Sequence, residues 1–128
     1  MGIIPDSGGV LRLPRRLPSA VAMDMLMTGR RMTVDEAKHF GLVNRSCALI
    51  ELQDSAIEWA HQIAKSAPLS LAAIKSVVRN TDQIDLESAY KVMRSGEIKA
   101  YQKMLNSDDA KEGTMAFSEK RAPTWKGK

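Results

Sequence analysis

Residues 51–67 read ELQDSAIEWAHQIAKSA, and this stretch decides the fold class. Leu52, Ala56, Trp59, Ala60, Ile63, Ala64 and Ala67 recur at spacings of three and four, so a helix gathers them into one stripe. Gln53, Asp54, Glu58, His61, Gln62 and Lys65 take the opposite face. A half-buried strand requires alternation at every second residue, which the stretch does not keep. The spacing therefore predicts a helix over 51–66. Pro68 suits the first turn of a new helix, because its missing N–H has no intrahelical partner there. Ala67-Pro68 reads as a helix–helix junction.

Working outward, a second amphipathic segment runs from Leu69 to Arg79. A third runs from Asp85 to Leu105 through Leu86, Ala89, Tyr90, Met93, Tyr101 and Met104, and reads as one long helix. Ser107, followed by Asp108 and Asp109, opens a last helix, since carboxylates favour the positive end of the dipole; it should stop before Pro123. Upstream, Thr33 and Glu36 have the spacing of a capping box, and Gly41 provides the stop. Ser19 to Thr28 is almost wholly apolar, which predicts a short helix buried on most sides. Leu42 to Cys47 is either a short strand or an extended link. Residues 1–16 are turn-forming, broken by Pro5, Gly8, Gly9 and Pro14. The expectation is a mainly α chain of roughly five helices.

The composition agrees with a globular region. Of 128 residues, 44% are hydrophobic and 27% charged, which excludes a disordered tail or a collagen-like fibre. Nineteen Lys and Arg against fifteen Asp and Glu give +4, spread so that no helix carries a continuous basic face. Nucleic acid is not an expected partner. The longest apolar stretch, Ala20 to Met27, is interrupted by Asp24 and falls far short of the ~20 residues of a membrane span, so no membrane role is expected. The chain opens without a basic, then apolar, targeting pattern. A single cysteine, Cys47, excludes an internal disulfide and a cysteine-based zinc site. It reads as a small buried hydrophobe in a reducing, cytoplasmic setting.

Few residues have the pattern of chemistry. His61 falls on the polar face of a regular helix and His39 in a short capped one, so neither pairs with a nucleophile. No cluster has metal-ligand spacing. Gly8-Gly9 matches neither the P-loop nor the dinucleotide fingerprint and reads as a tight turn. Asp6 follows Pro5 in that turn. It is either an ordinary turn residue or a carboxylate held for general acid–base work against a surrounding pocket.

Several ordered motifs go further. GIIPDSGGVLRLP at 2–14, MLMTGRRMTVDEAKHFGLVN at 25–44, SAPLSLAAIK at 66–75 and SDDAKEGTMAFSEKRAPTWKG at 107–127 resemble the crotonase, or enoyl-CoA hydratase/isomerase, superfamily. Together PDSGG, TGRR and P-x-W-K-G most resemble its carnitinyl-CoA dehydratase branch. The resemblance implies a ββα-spiral core followed by a helical trimerisation region. It assigns 1–18 to a loop remnant of that core and 19–128 to the helical C-terminal oligomerisation region, with the N-terminal core absent from this stretch.

The function implied is that of a lyase or isomerase of acyl-CoA and fatty-acid metabolism, with an acyl-CoA thioester as substrate and no tightly bound cofactor. The family's catalytic glutamates and oxyanion-hole N–H groups lie upstream of G-x-x-P-x-x-G-G, so this stretch alone is expected to be inactive. Three residues carry over. Asp6 occupies a position where some isomerising or dehalogenating members use a carboxylate and others have Gly. Phe117 and Lys120 match positions that contact coenzyme A from a neighbouring subunit. Without the resemblance, Phe117 reads as core and Lys120 as a solvated lysine. A homo-oligomer, trimer or hexamer, is expected; the competing reading is a non-enzymatic helical oligomerisation module.

Overall fold

The computed structural model of the protein describes residues 2–128 and consists of helices and turns, with no strand among the described residues. The mainly α expectation holds. Residues 42–47 are therefore a link and not a strand. Two units divide between Gln53 and Asp54.

In the first unit a one-turn helix α1 (Gly9–Arg12) leads into a 3-10 turn (Leu13–Arg15), then α2 (Ser19–Thr28) and α3 (Val34–His39). The helix α2 packs on the 3-10 turn. Leu17 and Ala22 are buried, but Met23 and Met27 are 41% and 77% exposed. The expectation that α2 is buried on most sides is thus overturned. An all-apolar sequence specifies no face, and only Ala22 of this helix reaches a dry contact. The capping box forms as read: Thr33 Oγ1 accepts from the Glu36 N–H at 3.2 Å, and Glu36 Oε2 accepts from the Thr33 N–H at 2.9 Å. That Thr33 N–H, with Arg30 beside it, holds the Glu36 carboxyl below the usual range. Arg30 bridges Asp24 of α2 and Glu36 of α3, tying the two helices by charge where apolar contact is sparse. Cys47 is exposed, not buried: it lies in a stretch, 41–50, in which no residue is buried.

The second unit contains most of α4 (Leu52–Ala64), then α5 (Pro68–Thr81), α6 (Leu86–Arg94), α7 (Lys99–Leu105) and α8 (Asp108–Ser118). Pro68 opens α5 at its first position, as the junction reading required. The most extensive packing is between α5 and α7, where small Ala73 and the adjoining Ile98 are buried. The long helix expected over 85–105 is instead two. α6 ends at Arg94 with Ser95 as its C-cap, whose hydroxyl donates back to the Val92 carbonyl, and Gly96 follows at φ +90°. That conformation suits glycine and forbids continuation, so Ile98 restarts the chain as the N-cap of α7. Asp85 caps α6 through the Ser88 N–H at 3.0 Å, which lowers its pKa.

The predicted apolar stripe of α4 stays largely uncovered among the described residues. Leu52 and Ile63 are 55% and 48% exposed, Trp59 is half-buried, and only Ala67 just beyond the helix is buried. The buried apolar residues are mostly alanines. No helix among the described residues is long and apolar enough to cross a membrane.

Candidate functional site

Two places carry the sequence-predicted residues, one in each unit. In the first, Pro5 and Asp6 form a tight turn, with the Asp6 N–H donating to the Ile4 carbonyl at 2.8 Å. Both following glycines are needed. Gly8 caps α1 at φ +104°, and a Cβ on Gly9 would lie 3.0 Å from the Pro5 ring. This packing fixes the turn and leaves the Asp6 carboxylate exposed at its tip.

The second place is the end of α8. Ser107 caps this helix, accepting from the Ala110 N–H at 3.1 Å while donating to the Met104 carbonyl at 2.7 Å. At the other end the chain closes a Schellman motif: the Arg121 N–H reaches the Ala116 carbonyl at 3.0 Å and the Lys120 N–H reaches that of Phe117 at 3.3 Å. Lys120 occupies the position usually given to glycine. It has φ +54°, the one positive φ of a non-glycine residue among those described. Phe117 is 87% exposed, which overturns its reading as core. Lys120 is exposed too and enters none of the ion pairs among the described residues. An apolar ring and a free ammonium thus stand together at one helix end.

Sequence reasoning missed the residues that build this end. Arg121 forks onto Glu112, with Nη1 to Oε1 at 2.6 Å and Nη2 to Oε2 at 3.0 Å, and its Nε donates to Glu119 at 2.5 Å. Glu112 also accepts from the Thr124 N–H at 2.8 Å. Arg121 first, then Thr124, pull the Glu112 carboxyl down to about 2, and the two carboxylates raise Arg121 in turn. Asp109, 3% exposed, accepts from the N–H groups of Lys126 and Gly127 at 2.7 and 2.9 Å. Trp125 donates to the Lys65 carbonyl at 2.8 Å, and its ring edge lies over Gly113. The tail is therefore strapped to α8 by two carboxylates one turn apart. Their i, i+3 spacing was visible in the sequence, but it could equally have served a solvated face. Among the described residues no group of three or more His, Cys, Asp or Glu could hold a metal ion.

Three comparisons with known proteins give the class of protein to which this row of helices and turns belongs. The family model "Enoyl-CoA hydratase/isomerase" matches residues 1–128. The carnitinyl-CoA dehydratase of Proteus mirabilis (strain HI4320) is 56% identical over 128 residues, all of this chain and 49% of the relative. That of Escherichia coli (strain K12) is 52% identical with the same coverage. Among solved structures, an enoyl-CoA hydratase from Bacillus anthracis superposes with a TM-score of 0.83 at 37% identity, covering 99% of this chain and 48% of that one. One from Mycobacterium marinum gives 0.82 at 35%, covering 99% and 49%. The chain belongs to the enoyl-CoA hydratase/isomerase family. It spans about half the length of the relatives it matches.

Proposed function

We propose that the chain is part of an acyl-CoA lyase that removes water from, or adds it to, a thioester of the carnitinyl-CoA type, and that its own contribution is at the coenzyme A end. The identity of 56% over the whole chain to a carnitinyl-CoA dehydratase carries this reading. In such chemistry the thioester oxygen takes up charge as the α-proton leaves, and hydrogen-bond donors at that oxygen stabilise the enolate. Acidic side chains move the proton and the water. Asp6, exposed on its rigid turn, is the proposed acid–base group of this chain.

Phe117 and Lys120 are the proposed coenzyme A contacts, made to a neighbouring copy. Their joint exposure supports this, since a ring 87% in solvent has no packing role within its own chain. Uncovered apolar side chains such as Leu52, Ile63 and Phe117 support a homo-oligomer, trimer or hexamer. The lone free cysteine fits a reducing, cytoplasmic compartment. The test is titration of the chain with coenzyme A. Binding on the order of 1 mM is expected, the range of a few exposed contacts. Lys120→Ala should weaken it about three- to tenfold, and Lys65→Ala, at an exposed turn position just after α4, should leave it unchanged. Identical isotherms for all three proteins would refute the contact.

A further inference from the structure

The Schellman motif at the end of α8 is closed by lysine where glycine is usual, and a left-handed backbone disfavours any residue with a Cβ. Something must hold it. The residues on either side of Lys120 are joined by an ion pair, Arg121 Nε to Glu119 Oε2 at 2.5 Å. The same guanidinium is anchored to the body of α8 by its two-pronged contact with Glu112. Lys120 is thus bracketed by Glu119 and Arg121, with the Arg121 and Lys120 N–H groups bonded back into the helix. Its own side chain takes no part in the network.

We infer that Arg121 is a positioning residue: by clamping Glu112 and Glu119 it keeps Lys120 left-handed and so fixes where the ammonium is offered to the phosphates of a coenzyme A ligand. The ligand part of this inference rests on the proposed contact of Lys120; the backbone part does not. A lysine placed by α8 alone would follow the helix or fray. The bracket turns it out of the helical path at one defined angle. Arginine is suited to the task because its planar fork binds one carboxylate with two prongs while Nε engages another, which a lysine cannot do.

The experiment has two arms on the whole chain. In the first, the Cα and Cβ chemical shifts and the HN–Hα coupling of Lys120 report its φ. Arg121→Met should move them out of the left-handed range, and Arg121→Lys should fall between. Should Arg121→Met fail to fold, Glu119→Gln removes one ion pair, leaves Glu112 in place, and carries the same measurement. Left-handed shifts retained in the folded variants would overturn the inference.

In the second arm coenzyme A is titrated into the wild type, Arg121→Met, Lys120→Ala and the double variant. Each single variant should weaken binding about three- to tenfold, and the double variant no further, since Arg121 acts through Lys120. Losses that add would overturn the positioning role. A wild type that binds no coenzyme A would refute the Lys120 contact, while the first arm still decides what Arg121 does to the backbone.

Discussion

Asp109 offers the sharpest test of how the C-terminal strap is held. Its carboxylate is buried and accepts two backbone N–H groups, from Lys126 at 2.7 Å and Gly127 at 2.9 Å. A hydrogen bond to a charged group contributes about 1.5–3 kcal/mol net, so two give at most about 3–6. Lys126 is exposed, so the freed donors regain water and the lower end applies. Asp109→Ala should therefore cost about 3 kcal/mol, a large part of the 5–15 kcal/mol typical of a domain. At the usual urea dependence of about 1–3 kcal/mol per molar, the midpoint should fall by about 1 M or more. The strap carries Trp125, one of two tryptophans, so a Trp59→Phe background lets fluorescence follow it alone. Release breaks the Trp125 bond to the Lys65 carbonyl, and the emission should shift to the red. Asp109→Asn, equal in size, keeps one acceptor and sets an NH2 against the other N–H, so it should show the same loss to a smaller degree. Wild-type midpoints and unshifted emission in both variants would refute the carboxylate clamp.

Further outcomes follow from the same geometry. Glu112 has a folded pKa of about 2 against 4.5 for the free group, so it binds protons less readily when folded. Its contribution is then complete above about pH 4.5 and is lost as pH falls toward about 2, and Glu112→Gln should flatten the acid limb of stability against pH. A limb unchanged in that variant would show that other carboxylates govern it. Thr33→Ala removes an N-cap whose hydrogen bond is in place, and should cost about 1 kcal/mol in chemical denaturation. Lys120→Gly relieves the left-handed strain and should stabilise by about 1 kcal/mol, while removing the ammonium. A thermal midpoint at or below that of the wild type would count against the strain.

What the sequence alone determined is what one or two turns of chain can decide. Thr33 with Glu36 and Ser107 before the two aspartates satisfy backbone groups three residues away, and Pro68 at the head of α5 lacks an N–H that would have had no partner there, so their geometry follows from their spacing. The motifs from 2–14 to 107–127 likewise identified the family, being ordered and continuous along the chain. Periodicity alone joined 85–105 into one helix. A stripe of apolar residues does not record that Ser95 and Gly96 turn the backbone between them.

Tertiary structure decided the rest. Burial was not legible, because an apolar face states only that it prefers to leave water, and the partner of α4's stripe is not in its own sequence. Nor was the strap. Asp109 and Glu112 meet residues 12 to 18 positions later, and Trp125 meets a carbonyl 60 positions earlier. Those pairings depend on where the tail lands after α8 ends, and its landing depends on the left-handed turn at Lys120. The left-handed angle at Lys120 and the Arg121 contacts beside it thus occur together, and neither is legible in a lysine's identity.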